Sequence, residues 1–139
     1  MIAVLDTNIV ASATYWRGKP AHCLEAWALG RYDLAISHPI LTEYEDVIAR
    51  LAARYPTKQP TDWLGPIKQA GHLYLPAPIA ASTTDPDDEM FIECAAAAHA
   101  DYLVTGDKGH LLTLKAAGGV PIVSASDFLR RLGLPENPA

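Results

Sequence analysis

Apolar residues fall along this chain in short unbroken runs, separated by stretches in which they recur every three or four positions. Ile2-Ala3-Val4-Leu5 is the first run. A strand apolar at every position is one buried on both faces, as in the interior of a parallel sheet. Similar short runs at 33–37, 73–75, 102–104 and 120–123 predict further strands. Between them the period changes. Ile40, Leu41, Tyr44, Val47, Ile48 and Leu51 form a stripe at helical spacing and predict a helix over about 39–54, with Pro39 suited to its first turn. Cys23, Leu24, Trp27 and Ala28 mark a helix over about 21–29, after the break at Arg17-Gly18-Lys19-Pro20 and closed by Gly30. A short helix or turn over 7–16, a helix over about 61–70 ended by Gly71, one running to about His99, a short one beyond Lys108 and one from Ser126 complete the pattern. Strands alternating with helices predict an α/β chain with a parallel sheet and right-handed crossovers.

Acidic residues interrupt this pattern at particular places. Asp6 stands where the first strand stops, and Thr7-Asn8 supplies capping chemistry for the helix beyond. Asp6 therefore has two readings: a helix cap, or a ligand at the carboxyl edge of the sheet, where open α/β folds bind. The device recurs at Tyr102-Leu103-Val104-Thr105-Gly106-Asp107, an apolar strand, a tight turn and an acid. Glu43 lies three residues after Ile40 and four before Val47, at the margin of a buried stripe, and half-buried carboxylates are rare unless paired or metal-bound. Four acids in five residues open the helix after Thr84. Asp85 suits a cap, and acids in a first turn complement the helix dipole without any further role. Asp88, three before Phe91 and four before Ile92, shares their inward face, whereas Glu89 is rotated by ~100° toward solvent.

Composition narrows the class. The 139 residues, 50% hydrophobic and 19% charged, make one globular domain's worth of chain, with residues from Pro135 onward expected to fray. No apolar run approaches the ~18 residues that cross a bilayer, and no secretory signal is evident, so a cytoplasmic protein away from membranes is expected. Cys23 and Cys94 are isolated and read as small core residues, and no two of the five histidines have a zinc-ligand spacing. The formal charge of −5 is the wrong sign for a protein that holds phosphates on a basic surface. The contradiction resolves if the acids converge. At one edge of a parallel sheet Asp6, Glu43, Asp88 and Asp107 repel one another unless a cation intervenes. An all-oxygen ligand set suits Mg²⁺ or Mn²⁺, and a common use of such a site is hydrolysis of a phosphodiester by metal-activated water.

At this point the sequence resembles a family. LDTN at the start, Glu43 within LTEYEDVI, the DPDDEMF segment, and LVTGD followed by GHLL are similar in order and spacing to a PIN domain, in the branch of toxin components of bacterial toxin–antitoxin pairs. The resemblance runs from Met1 to about Leu129. It implies a three-layer α/β/α sandwich and a Mg²⁺- or Mn²⁺-dependent ribonuclease, often a homodimer, often neutralised by an antitoxin protein. Carried over by position, the family acids fall on Asp6, Glu43, Asp88 and Asp107, with Asn8 and Thr105 as polar support. Spacing before the last acid varies by a residue, so Glu89 is the alternative to Asp88. Lys108 is placed to steady the scissile phosphate. The helices at 21–29 and 61–70, with Trp27 and Trp63, are the expected dimer surfaces. Two competing readings are a Mg²⁺-dependent small-molecule phosphatase with Asp6 as nucleophile, disfavoured because Asn8 stands where a second Asp is wanted, and a PIN-like module that binds RNA or a partner without cutting.

Overall fold

The order of elements is β1 (Ile2–Leu5), α1 (Thr7–Tyr15), α2 (Lys19–Ala28), β2 (Asp33–Ile36), α3 (His38–Arg54), α4 (Leu64–Ala70), β3 (His72–Leu73), α5 (Pro86–Ala98), β4 (Tyr102–Thr105), β5 (Ala116–Ala117), β6 (Val120–Ser124) and α6 (Ala125–Arg131). The structure, a computed structural model, describes residues 1–76, 86–106, 116–117 and 119–134. The strands form one sheet in the order β3-β2-β1-β4-β6-β5. The first five run parallel to their neighbours, and the short β5 pairs antiparallel with β6.

The chain winds outward from β1 through β2 to β3, then returns past β1 to lay down β4 on its other side. The reversal therefore falls between β1 and β4, which pair with Ala3 opposite Tyr102 and Leu5 opposite Val104. Both strands are buried on both faces, as their unbroken apolar runs require: Ala3, Val4, Leu5 and Val104 are fully inaccessible. Helix α5 lies across β1, β2, β4 and β6. Helices α1, α2 and α6 pack in succession, with α1 on β4 and α6 on β4 and β6, and cover the other face. The result is a three-layer α/β/α sandwich around a parallel sheet. Phe128 locks α6 in place: fully buried, it meets Tyr32 edge-on at 4.9 Å and Tyr102 at 6.0 Å. Such contacts are worth ~0.5–1.5 kcal/mol each beyond the area they bury.

Several boundaries differ from the pattern reading for local reasons. Helix α2 begins at Lys19, because Pro20 in a first turn lacks only an N–H the helix does not use. Helix α4 begins at Leu64 rather than near Thr61. The Thr61 amide donates to the Thr14 carbonyl (2.7 Å) and the Asp62 carboxylate accepts from the Gly65 amide (3.0 Å), so the segment before the helix is strapped to α1 instead of coiling. Strand β3 is only two residues long, although the Tyr74 amide still reaches the Ile36 carbonyl at 2.8 Å. Strand β5 has no sequence signature, since two alanines beside glycine carry no alternation. The expected short helix after Lys108, the Asp85 cap and the frayed tail lie outside the described residues. Cys23 and Cys94 are core residues, as expected, and burial pushes each thiol from its usual 9.0 up to about 12. Trp27 and Trp63 are half-buried against the core, whereas Trp16 is exposed. Among the described residues no helix is long and apolar enough to cross a membrane.

Candidate active site

Where β1 ends, the backbone turns at Asp6 from extended conformation into α1. The Asp6 amide completes the pairing with β4 by donating to the Val104 carbonyl at 2.9 Å. Its side chain caps α1, one of the two readings the sequence allowed, and also engages the neighbouring strand. One oxygen accepts from the Asn8 amide (3.4 Å) and caps α1; the other accepts from the Thr105 hydroxyl at 2.5 Å. Thr105 is fully buried and Asp6 is 7% exposed. A carboxylate at the winding reversal is thus fixed in orientation by the strand next to it. Gly106 follows Thr105, and a β-carbon there would lie 3.8 Å from the Asn8 Cβ, so Gly106 and the exposed Asn8 share one rim above Asp6.

Glu43 stands on α3. Ser37 ends β2 and caps that helix, its hydroxyl accepting from the Ile40 amide at 3.3 Å. Two turns on, the fully buried Tyr44 donates its hydroxyl proton to the Leu5 carbonyl at 2.5 Å, clamping α3 to the residue before Asp6. Burial, then the nearby Asp6 charge and Cys94, hold the Tyr44 hydroxyl well above its usual range, so it stays a neutral donor. By periodicity Tyr44 belongs to the apolar stripe and has no part in the site. A signal was available, because a tyrosine among aliphatic residues must find a partner for its hydroxyl. Glu43, its neighbour on the helix, is half-buried.

Asp88 lies in the first turn of α5 and is 9% exposed, on the face that buries Phe91, Ile92, Ala95 and Ala98. Glu89 is half-buried, so it does not point wholly to solvent. Asp107 and Lys108 lie outside the described residues. The described residues therefore bring Asp6 and Thr105 into direct contact, place Gly106 beside Asn8, and tie the helix of Glu43 to the end of β1. Among them, no three His, Cys, Asp or Glu side chains are grouped closely enough to hold a metal ion.

The donors nonetheless fit a hard divalent cation in kind. They are carboxylate oxygens without sulfur or imidazole. Beside Asp6, the Thr7 Oγ1 is buried with no hydrogen-bond partner among the described residues, a state that costs ~1–3 kcal/mol unless something accepts or donates there.

The PIN domain family model aligns with residues 3–109, which include Asp6, Glu43, Asp88 and Asp107. No curated protein and no solved structure gave a significant match. Since the family model covers most of the chain and the α/β fold with its parallel sheet is consistent with it, the chain belongs to the PIN domain family, whose members are in general nucleases.

Proposed function

We propose that this protein is a Mg²⁺- or Mn²⁺-dependent endoribonuclease that hydrolyses phosphodiester bonds of RNA. Asp6, Glu43, Asp88 and Asp107 are the carboxylates that would hold the cation, with Glu89 the alternative to Asp88. Asn8 and Thr105 support them, and Lys108 steadies the scissile phosphate. The observation that carries the reading is Asp6, a nearly buried carboxylate at the β1/β4 reversal with an oxygen engaged by Thr105. A capping aspartate alone needs no such support from a neighbouring strand.

The chemistry supplied by a bound divalent ion is charge stabilisation at the phosphodiester oxygens and a lowered pKa for water. This chain's residues set the conditions for it. Thr105 donates to Asp6 and keeps that carboxylate oriented, as a ligand must be. Tyr44 fixes the spacing between α3 and β1, and with it the approach of Glu43. Asn8 stands exposed on the rim, where substrate arrives. A phosphate meets this edge favourably only when the acids are neutralised, which reconciles the chain's −5 charge with a polyanionic substrate.

The order of the motifs extends the reading to the toxin of a toxin–antitoxin pair, acting as a homodimer and held inactive by an antitoxin protein. The experiment that tests the nuclease is cleavage of single-stranded RNA with added Mg²⁺ or Mn²⁺, compared with EDTA and with Asp6→Asn. Metal-dependent cleavage lost in the variant supports it. Turnover of a chromogenic phosphate monoester without RNA cleavage overturns it.

A further inference from the structure

The far end of α1 carries a second feature that the acidic edge does not use. A cavity of about 440 Å³ opens where α1 ends, walled by Trp16 and Trp63 and edged by Arg17, His22 and Glu25. Trp16 is 41% exposed, an unusual position for the largest side chain in a small domain. Lys58 stands over its ring, 5.1 Å from Nζ to the centroid. Within the wall, the His22 Nδ1 is buried without a hydrogen-bond partner among the described residues. Buried ring nitrogens are ordinarily satisfied, so an unsatisfied one bordering a cavity points to a ligand that hydrogen-bonds it.

We infer that this cavity is a subsite for an unpaired nucleobase of the RNA, lying beyond the cleavage edge. The inference rests on the ribonuclease reading and deepens it. Single-stranded RNA is recognised by stacking its bases on aromatic side chains and hydrogen-bonding their edges, with cations meeting the phosphates. Each requirement has a counterpart here. Trp16 and Trp63 offer aromatic surfaces, His22 and Glu25 offer partners for a base edge, and Arg17 in the lining and Lys58 over the Trp16 ring set two cations beside the cavity. The reach is right as well. Asp6 caps one end of α1 and Trp16 the other, and nine helical residues span ~14 Å. Single-strand sites cover about 4–16 nucleotides, so one strand reaches both ends.

The test measures binding of a fluorescein-labelled single-stranded RNA about 12 nucleotides long, within that range. Fluorescence anisotropy is recorded with the full chain in EDTA, which prevents cleavage and isolates the aromatic end. Trp16→Ala is expected to weaken binding at least ~5-fold, the lower end of what stacking one base is worth. Trp16→Leu, which keeps apolar bulk without a π face, is expected to lose as much, and Trp16→Tyr to retain most of the affinity. Melting temperatures of all three establish that each is folded. Unchanged affinity in Trp16→Ala or Trp16→Leu, with wild type binding and cutting RNA, overturns the subsite and leaves the nuclease standing. Wild type that neither binds nor cuts RNA overturns both. If Trp16→Ala instead dissociates a dimer in sedimentation while RNA affinity is unchanged, the face is a protein interface and the subsite is wrong.

Discussion

The two ends of α1 are built on opposite principles. At its start, Asp6 is nearly enclosed, with its orientation set by the Asn8 amide and the Thr105 hydroxyl. At its finish, Trp16 stands in the open, touched by Tyr55 edge-on at 5.6 Å and by the Lys58 cation. One end is anionic and supported by two strands; the other is aromatic, carries Arg17 and Lys58 together with Glu25, and is enclosed by α1, α2 and the segment before α4. Chemistry on a phosphodiester needs fixed ligands, because a displacement of an ångström costs orders of magnitude in rate. Holding a flexible strand needs wide, tolerant surfaces. The contrast suggests a division of labour along one short helix.

The largest effect should come from breaking the anionic end. Asp6→Asn is expected to lower RNA cleavage by ~10²–10³-fold or more, since cation-mediated charge stabilisation is worth several kcal/mol. RNA affinity measured in EDTA should not fall, because a negative charge has been removed. Thr105→Val removes only the hydroxyl that orients Asp6, and should raise the Mn²⁺ concentration needed for half-maximal activity by ~10–100-fold. At the aromatic end, Trp16→Ala should raise KM for a long RNA more than it lowers kcat, which steady-state kinetics would separate.

Smaller effects probe the clamp that sets the anionic end. Tyr44→Phe leaves the Leu5 carbonyl buried without its donor and should cost ~1–3 kcal/mol in urea unfolding, together with some metal affinity. The last prediction concerns pH. The Cys23 and Cys94 thiols and the Tyr32 and Tyr44 hydroxyls are all held above their usual values in the folded chain. An unfolded chain releases these protons first, so their contribution is complete below about pH 9 and declines as pH rises from 9.0 toward 12. Thermal melts across that window should show the decline. A melting temperature that holds steady to pH 12 would overturn the assignment of these groups to the core.

Much of the anionic end was legible in the sequence. An apolar run ending in an acid, repeated once, predicts two buried strands and an edge, and the sheet places those strands side by side. Asp88 was separable from Glu89 by counting turns, and it is the more buried of the two. Tyr44 was not recognised because its role depends on a carbonyl 39 positions away, which no periodicity encodes. The aromatic end was legible least. Its parts, Trp16, His22, Lys58 and Trp63, come from three separate segments, and the strap from Thr61 to Thr14 that gathers them is a backbone contact indifferent to side-chain type. Pattern reading follows what an element buries. It is blind to what separate segments enclose between them.

The two deeply held thiols have a practical corollary. With acidities suppressed to about 12, Cys23 and Cys94 carry almost no thiolate at neutral pH and offer little to maleimides or peroxide. A single cysteine introduced on the surface would then take a probe cleanly. Distances between the two extremities of α1 become measurable in the working protein without first stripping out its native sulfur.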